Sequence, residues 1–461
     1  DLHSFPDRLS SHLFFAHTVH FYAPIAPTLR HLCVFLAPPQ SVAPQFRAWR
    51  QFRFLDPLLQ PPFPSSSSSS SSLFLFFFSF VIDCLSFSLL MSINFLRGHP
   101  TLSLLPYESI SRAYDKVVLE NDYSETLQNP ANRHPLSYGT DPGNWDVRKT
   151  YAAWNDRLFN RKSPSDPDTI NLTAGASYGI ANILTSLTSV ARGITRQAFV
   201  VTPCYYLING AFVDAGFEDK ITAIDELQDG EYDVDVVQLE KELIKHSKGL
   251  EPADNRPVNI REDPLGRGAD KKFRFVLYIV PTFSNPSGAT YSVKTRQKLL
   301  ELARKYDLLI ISDDVYELLD YSEDPGHKLI PRIVYLDRDT LPEWDQFGHS
   351  ITNGTFSKII APGLRLGWQE TATPKLVQQL ASTGANRSGG TPNQLSLVVV
   401  NELIISGELD RIVLEYVAVY KDRAKKMKKY LGQYLPARAK VFGGDGGYVL
   451  WVDINQKDKD H

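Results

Sequence analysis

A lysine set among hydroxyls, with an arginine seven residues further on, is the most reactive arrangement in this chain. It lies in Gly354 to Gly367, GTFSKIIAPGLRLG, where Lys358 and Arg365 flank a Pro-Gly pair. An amine that bonds an aldehyde as a Schiff base needs a dry, confined setting that lowers its pKa, and a phosphorylated cofactor needs nearby hydroxyls and a cation. Lys358 is the candidate amine, while Thr355, Ser357 and Arg365 offer the hydroxyls and the cation. A second segment, PTFSNPSG at Pro281 to Gly288, carries Asn285, whose amide can donate to a phenolate oxygen; the same Asn-Pro-Ser-Gly string is also a common turn. A third, IISDDVY at Ile310 to Tyr316, ends an apolar run in Asp313 and Asp314. A partly desolvated carboxylate there favours the protonated form of a pyridine nitrogen, and a protonated ring draws electrons from a Cα carbanion. Capping of a following helix is the structural alternative for Asp313.

Such groups meet only if the chain brings distant segments to one edge. Phe275 to Val280 and Leu308 to Ser312 are continuous apolar runs that read as buried strands, with the amphipathic helix Val293 to Tyr306 between them. Asn285 and Asp313 are 28 residues apart, enough for one crossover helix and its return strand, so both leave the sheet on the same side. Ligands of parallel sheets gather at that side. Further alternation (helices Asp146 to Phe159 and Ser177 to Thr188, strand Ala198 to Val201) predicts an α/β fold with a mostly parallel sheet covered by helices. In Thr173 to Gly179, TAGASYG, the N–H groups of Ala176 and Ser177 fall at a helix N-terminus and suit a phosphate. Glu251 to Lys272 is polar, contains Pro and Gly, and reads as a surface loop. After Pro374 the pattern turns helical (Lys375 to Ala385, Gln394 to Ser406, Glu408 to Leu431) and ends in the strand Gly447 to Val452, predicting a smaller α+β domain.

Taken in order, these segments resemble the class I/II aminotransferases, whose lysine signature is S-K-x-x-x-P-G-x-R-x-G. The resemblance implies the pyridoxal-phosphate-dependent transferase fold of type I, with pyridoxal 5'-phosphate bonded to Lys358 and its phosphate held by Thr355, Ser357, Arg365 and the turn at Ala176 and Ser177. The N-P-[ST]-G and D-x-x-Y patterns imply Asn285 and Tyr316 at the cofactor's 3′-oxygen and Asp313 at its ring nitrogen. Pro203-Cys204-Tyr205 resembles a P-x-Y whose ring stacks on the pyridine, with Tyr206 as the alternative. LSYGTDPG, Leu136 to Gly143, resembles a segment whose tyrosine, here Tyr138, reaches the phosphate of a neighbouring subunit, which implies a homodimer. INFLRGHPTLSLLP, from Ile93, is similar to the arm of the aminoadipate and kynurenine branch. That branch implies transfer from an L-amino acid, 2-aminoadipate or an aromatic one, to a 2-oxo acid such as 2-oxoglutarate, by a ping-pong mechanism. Arg387, in NRSGGTPNQ, reads either as a substrate-carboxylate contact or as a solvated helix end. The family's substrate arginine follows a G-G-Y-x-x-W strand, represented here by Gly446 to Trp451, and no arginine comes after Arg438, so a truncated small domain is expected. Other chemistries of the same cofactor and a non-catalytic sensing module remain the alternatives.

Composition sets the remaining limits. A formal charge of −3 over 461 residues offers no basic surface for nucleic acid, and 43% apolar content excludes a mainly disordered chain. Three cysteines build neither a disulfide framework nor a metal site, and fit a reducing, cytoplasmic setting. Residues 1–90 hold no lysine or glutamate, and 32 of the 40 residues from 51 to 90 are Phe, Leu, Ser or Pro, the amino acids of all-pyrimidine codons. That head reads as a translated low-complexity tract ahead of Met91, in preference to a membrane or targeting segment at 73–95. The expected divisions are thus 1–90, an arm at 91–136, a cofactor-binding domain at 137–373 and a small domain at 374–461.

Overall fold

The computed structural model describes Gly98 and residues 100–120, 133–253, 255–324 and 327–454. The expectations for residues 1–90, the apolar stretch at 73–95 and the start of the arm at Ile93 lie outside the described residues. The strands are β1 (Ile170–Thr173), β2 (Gln197–Thr202), β3 (Ile221–Asp225), β4 (Ile260–Glu262), β5 (Ala269–Lys271), β6 (Phe275–Ile279), β7 (Leu308–Asp313), β8 (Ser350–Thr355), β9 (Gly367–Thr371), β10 (Lys440–Gly443) and β11 (Leu450–Asp453).

Seven of them form one sheet in the order β1-β9-β8-β7-β6-β2-β3. The pairs from β3 through β2, β6 and β7 to β8 are parallel, and β9 runs antiparallel to both β8 and β1. A parallel sheet is covered on both faces, so its strands must be apolar throughout. FVLYI of β6 meets that demand with period two: Phe275, Leu277 and Ile279 enter one core cluster while Val276 and Tyr278 enter the other. Leu308 and Ile310 of β7 join the first cluster and Leu309 and Ile311 the second.

Crossover helices carry the chain between strands. Helix Val293–Tyr306 begins at Ser292, whose hydroxyl accepts from the Thr295 N–H, and stops at Asp307 in the left-handed conformation at φ 57°. Its buried side includes Leu299, Leu300 and Ala303, as its 3.6-residue period requires. Because β1, β2, β6, β7 and β8 all point the same way, Thr173, Thr202, Ile279, Asp313 and Thr355 end along a single edge, where β9 also begins.

Three expectations are corrected. Residues 251–272 do not form a plain loop, since β4 and β5 pair as an antiparallel hairpin within them. Its strands are too polar to read as strands, but Lys271 is buried with Nζ 2.5 Å from Asp307, and Gln379 accepts from the Lys271 N–H at 2.9 Å. A buried ion pair here does the work that apolar side chains usually do. The last strand is β11, Leu450–Asp453, paired with β10, and does not start at Gly447. Gly447 sits at φ +67° and gives its N–H to the Leu319 carbonyl, outside the ladder. Helix Glu408–Tyr434 runs past Leu431 and ends at Leu435, just ahead of Pro436.

Glycine is required where β9 starts. A Cβ on Gly367 would run into the Gly354 carbonyl and lie 2.9 Å from the Gly175 Cα. Gly367→Ala is expected to cost about 1–3 kcal/mol of stability through this overpacking. Thermal unfolding checks it: an unchanged midpoint would show that the three glycines are not in contact.

Candidate active site

The sheet edge gathers singled-out residues from five segments, those that follow β1, β2, β6, β7 and β8. Asp313, the last residue of β7, is 8% exposed; its Oδ2 accepts from the Tyr278 hydroxyl at 2.7 Å and its Oδ1 from Asn353 Nδ2 at 2.9 Å. Burial pushes its carboxyl up to about 6, against the pull of the two hydrogen bonds; the Asp314 charge adds to the rise and Lys358 opposes it. Asp314 points elsewhere, accepting from Ser312 Oγ at 2.9 Å and Thr352 Oγ1 at 2.8 Å. The tandem carboxylates are thereby divided into one that faces the edge and one tied into the sheet.

Lys358 lies in the turn after β8. Burial lowers its amine below the ordinary lysine value, and the Asp313 charge offsets part of that fall. Its Nζ stands 5.7 Å from the centre of the Tyr316 ring and 5.5 Å from that of Tyr448. Tyr316 is buried, its phenol pushed up to about 12, and Asn285 Nδ2 lies 3.5 Å from its oxygen. The loop that carries Asn285 is braced by Glu226, which accepts from Ser287 Oγ and the Tyr291 hydroxyl, each at 3.0 Å.

The hydroxyls and the cation converge on a helix end. Thr355 Oγ1 donates to Ser357 Oγ at 2.9 Å and accepts from the Ser357 N–H at 3.1 Å. Ala176 and Ser177 are the first residues of helix Ala176–Leu187, behind Gly175 at φ +93°. Arg365, itself left-handed at φ 49°, donates to the Ala174 carbonyl at 3.3 Å, and its Nη2 lies 3.0 Å from where a Cβ on Gly175 would stand. A helix N-terminus, a guanidinium and two hydroxyls are the donor types that an anion cradle uses.

Tyr205 is 36% exposed; burial and then the Asp313 charge raise its phenol. Tyr206, 64% exposed, turns outward. Tyr138 is 72% exposed beside Gly389, and Arg387 pairs with Asp141 at 3.5 Å on an exposed helix end. Sequence reasoning missed Tyr278 and Asn353. Tyr278 is concealed in an apolar strand, whereas Asn353 is a polar residue inside buried β8, directly opposite Asp313 in register. Asn353 also donates to the Ala176 carbonyl at 3.1 Å, so one amide links the carboxylate to the anion cradle.

No described helix is long and apolar enough to cross a membrane. The profile of the family described as Aminotransferase class I and II matches residues 115–461. An uncharacterized protein of Saccharomyces cerevisiae is 43% identical over 78% of this chain and 82% of its own length. Aromatic-amino-acid aminotransferase 1 of Thermococcus litoralis is 28% identical over 78% of this chain and 73% of its own. Among solved structures, the Pyrococcus horikoshii kynurenine aminotransferase, in complex with PMP, aligns with a TM-score of 0.58 at 27% identity, covering 77% of this chain and 74% of that one.

Proposed function

Because the chain belongs to the class I and II aminotransferases, transaminases that depend on pyridoxal phosphate and act on amino and oxo acids, we propose that it moves the amino group of an aromatic L-amino acid or 2-aminoadipate to 2-oxoglutarate or a similar 2-oxo acid, by a ping-pong mechanism. The observation that carries this reading is the convergence of a buried amine and a buried carboxylate, Lys358 and Asp313, beside an anion cradle on one sheet edge. The aromatic donor is supported by the similarity to an aromatic-amino-acid aminotransferase of Thermococcus litoralis and a kynurenine aminotransferase of Pyrococcus horikoshii.

The residues fit the cofactor chemically. Gly175 leaves open the space beside Arg365 that a side chain would fill, and the cradle's donors match a phosphate. Asp313 is a buried carboxyl lifted from its ordinary range, the state that a cationic ring nitrogen would relieve. When bound, the cofactor supplies an electron sink for the substrate's Cα. Arg365, Thr355, Ser357 and the Ala176 and Ser177 N–H groups hold the phosphate in this reading. Tyr205 covers one ring face, and Asn285 and Tyr316 orient the 3′-oxygen. Asp313 keeps the ring nitrogen protonated, with Tyr278 and Asn353 fixing its two oxygens. Lys358 Nζ, partly dry, would take the proton from Cα and return it at the cofactor's C4′ carbon, two bonds away. The working unit is a homodimer in the cytoplasm, with Tyr138 reaching the neighbouring copy's phosphate.

Supplying donor alone to the cofactor-loaded protein tests the reaction class. One oxo acid is expected per site, after which product formation stops until 2-oxoglutarate is added. Continuous turnover without an acceptor would show a different reaction class, and no product from phenylalanine, tyrosine, kynurenine or 2-aminoadipate would remove the proposed donors.

A further inference from the structure

Resting on the reading of Lys358 as the reactive amine, we infer that Tyr448 is a positioning residue for it: the Tyr448 phenol anchors the lysine's main chain while its ring, with that of Tyr316, walls the side chain. The Tyr448 hydroxyl donates to the Lys358 carbonyl at 2.8 Å. The same ring lies 5.5 Å from Lys358 Nζ, and its centre is 5.8 Å from that of Tyr316 at 53°. One side chain therefore holds the lysine at both ends.

Tyr448 is itself firmly placed. Its ring packs 4.8 Å from that of Tyr420, and the preceding Gly447 donates its N–H to Leu319 at 2.9 Å and accepts from the Tyr321 hydroxyl. Leu319 and Tyr321 belong to the segment that carries Tyr316, so Gly447 and Tyr448 tie that segment to Lys358. Burial raises the Tyr448 phenol far above its ordinary value, which keeps it a neutral donor across working pH. Among the described residues, the titratable groups that face the amine include Asp313 from β7, Tyr316 beyond it and Tyr448. A lysine stem has many rotamers, and a base that must serve two carbons two bonds apart loses effectiveness with each free rotation. Anchoring the main chain and walling the stem removes those rotations. Aromatic faces also favour the protonated amine by cation–π attraction.

The cofactor-loaded variants Tyr448→Phe and Tyr448→Leu separate the two functions. Tyr448→Phe keeps the ring and is expected to lower kcat about 5-fold, the worth of one hydrogen bond, with the donor KM changed less than about 2-fold. Tyr448→Leu also removes the ring, and the pH midpoint of the bound cofactor's absorbance change is expected to fall by about half a unit. If Tyr448→Leu does not fold, the kcat-against-KM split in Tyr448→Phe decides. Wild-type kcat and midpoint in the loaded variants, with borohydride still fixing the cofactor to Lys358, would overturn the role of Tyr448 alone. Fixation to another lysine in the unmodified protein would overturn the reading of Lys358 and this inference with it.

Discussion

Lys358→Ala is expected to lower kcat/KM by about 10⁴-fold, the upper range for loss of a positioned base that also bonds the reacting partner. The thermal midpoint of the cofactor-free chain should move by only a few degrees. Two terms oppose each other there: removing a buried amine relieves its desolvation, and removing its stem opens a gap between the Tyr316 and Tyr448 rings. Small primary amines added to the variant should restore part of the rate, because they can enter the gap and accept the Cα proton. A variant that keeps more than about a tenth of wild-type activity, well above the residual rate left by losing a catalytic base, would show that the base lies elsewhere. Restored activity with added amine separates a missing base from a damaged fold.

Asp313→Asn should cost about 10³-fold in kcat, with a smaller effect on donor KM. The amide keeps the shape and can still accept from Tyr278 or Asn353, but it carries no negative charge to hold a ring nitrogen protonated. Each pKa unit of lost preference for the protonated ring corresponds to about 1.4 kcal/mol. The stability of the cofactor-free protein should respond in the opposite sense. Its Asp313 is pushed from the ordinary 3.8 up to about 6, so its folded state prefers the neutral acid. Wild type should then lose stability as the pH rises from about 4 through about 6 and level off above that, while the asparagine variant should not show that loss. Denaturant melts at pH 4 and pH 7.5 check the sign, and equal pH dependence in both proteins would contradict a buried, disfavoured carboxylate.

Much of the framework is legible along the chain. FVLYI and LLIIS are apolar on both faces, which only a doubly covered sheet can use, and Ser292 and Asp307 bracket the helix between them. Once two parallel strands and a crossover are read, the common edge for Asn285 and Asp313 follows from topology. Pairing across distant segments is less legible. The contact of Asn353 with Asp313 depends on the register of β7 against β8, and the hairpin at 260–271 depends on Lys271 finding Asp307. The different fates of Asp313 and Asp314 have the same origin, because alternate residues of a strand face opposite sides and the hydroxyls of Ser312 and Thr352 wait on only one. Tyr448 belongs here too: its phenol reaches a carbonyl 90 residues earlier in the chain.

Borohydride reduction of the cofactor-loaded protein, followed by digestion and mass spectrometry of the peptides, tests the central assignment most directly. Reduction makes the lysine–cofactor bond permanent, and the reduced cofactor's added mass is predicted on the peptide that contains Lys358 and on no other. Added mass on a different lysine, or none on a protein that has taken up the cofactor, would contradict the site described here.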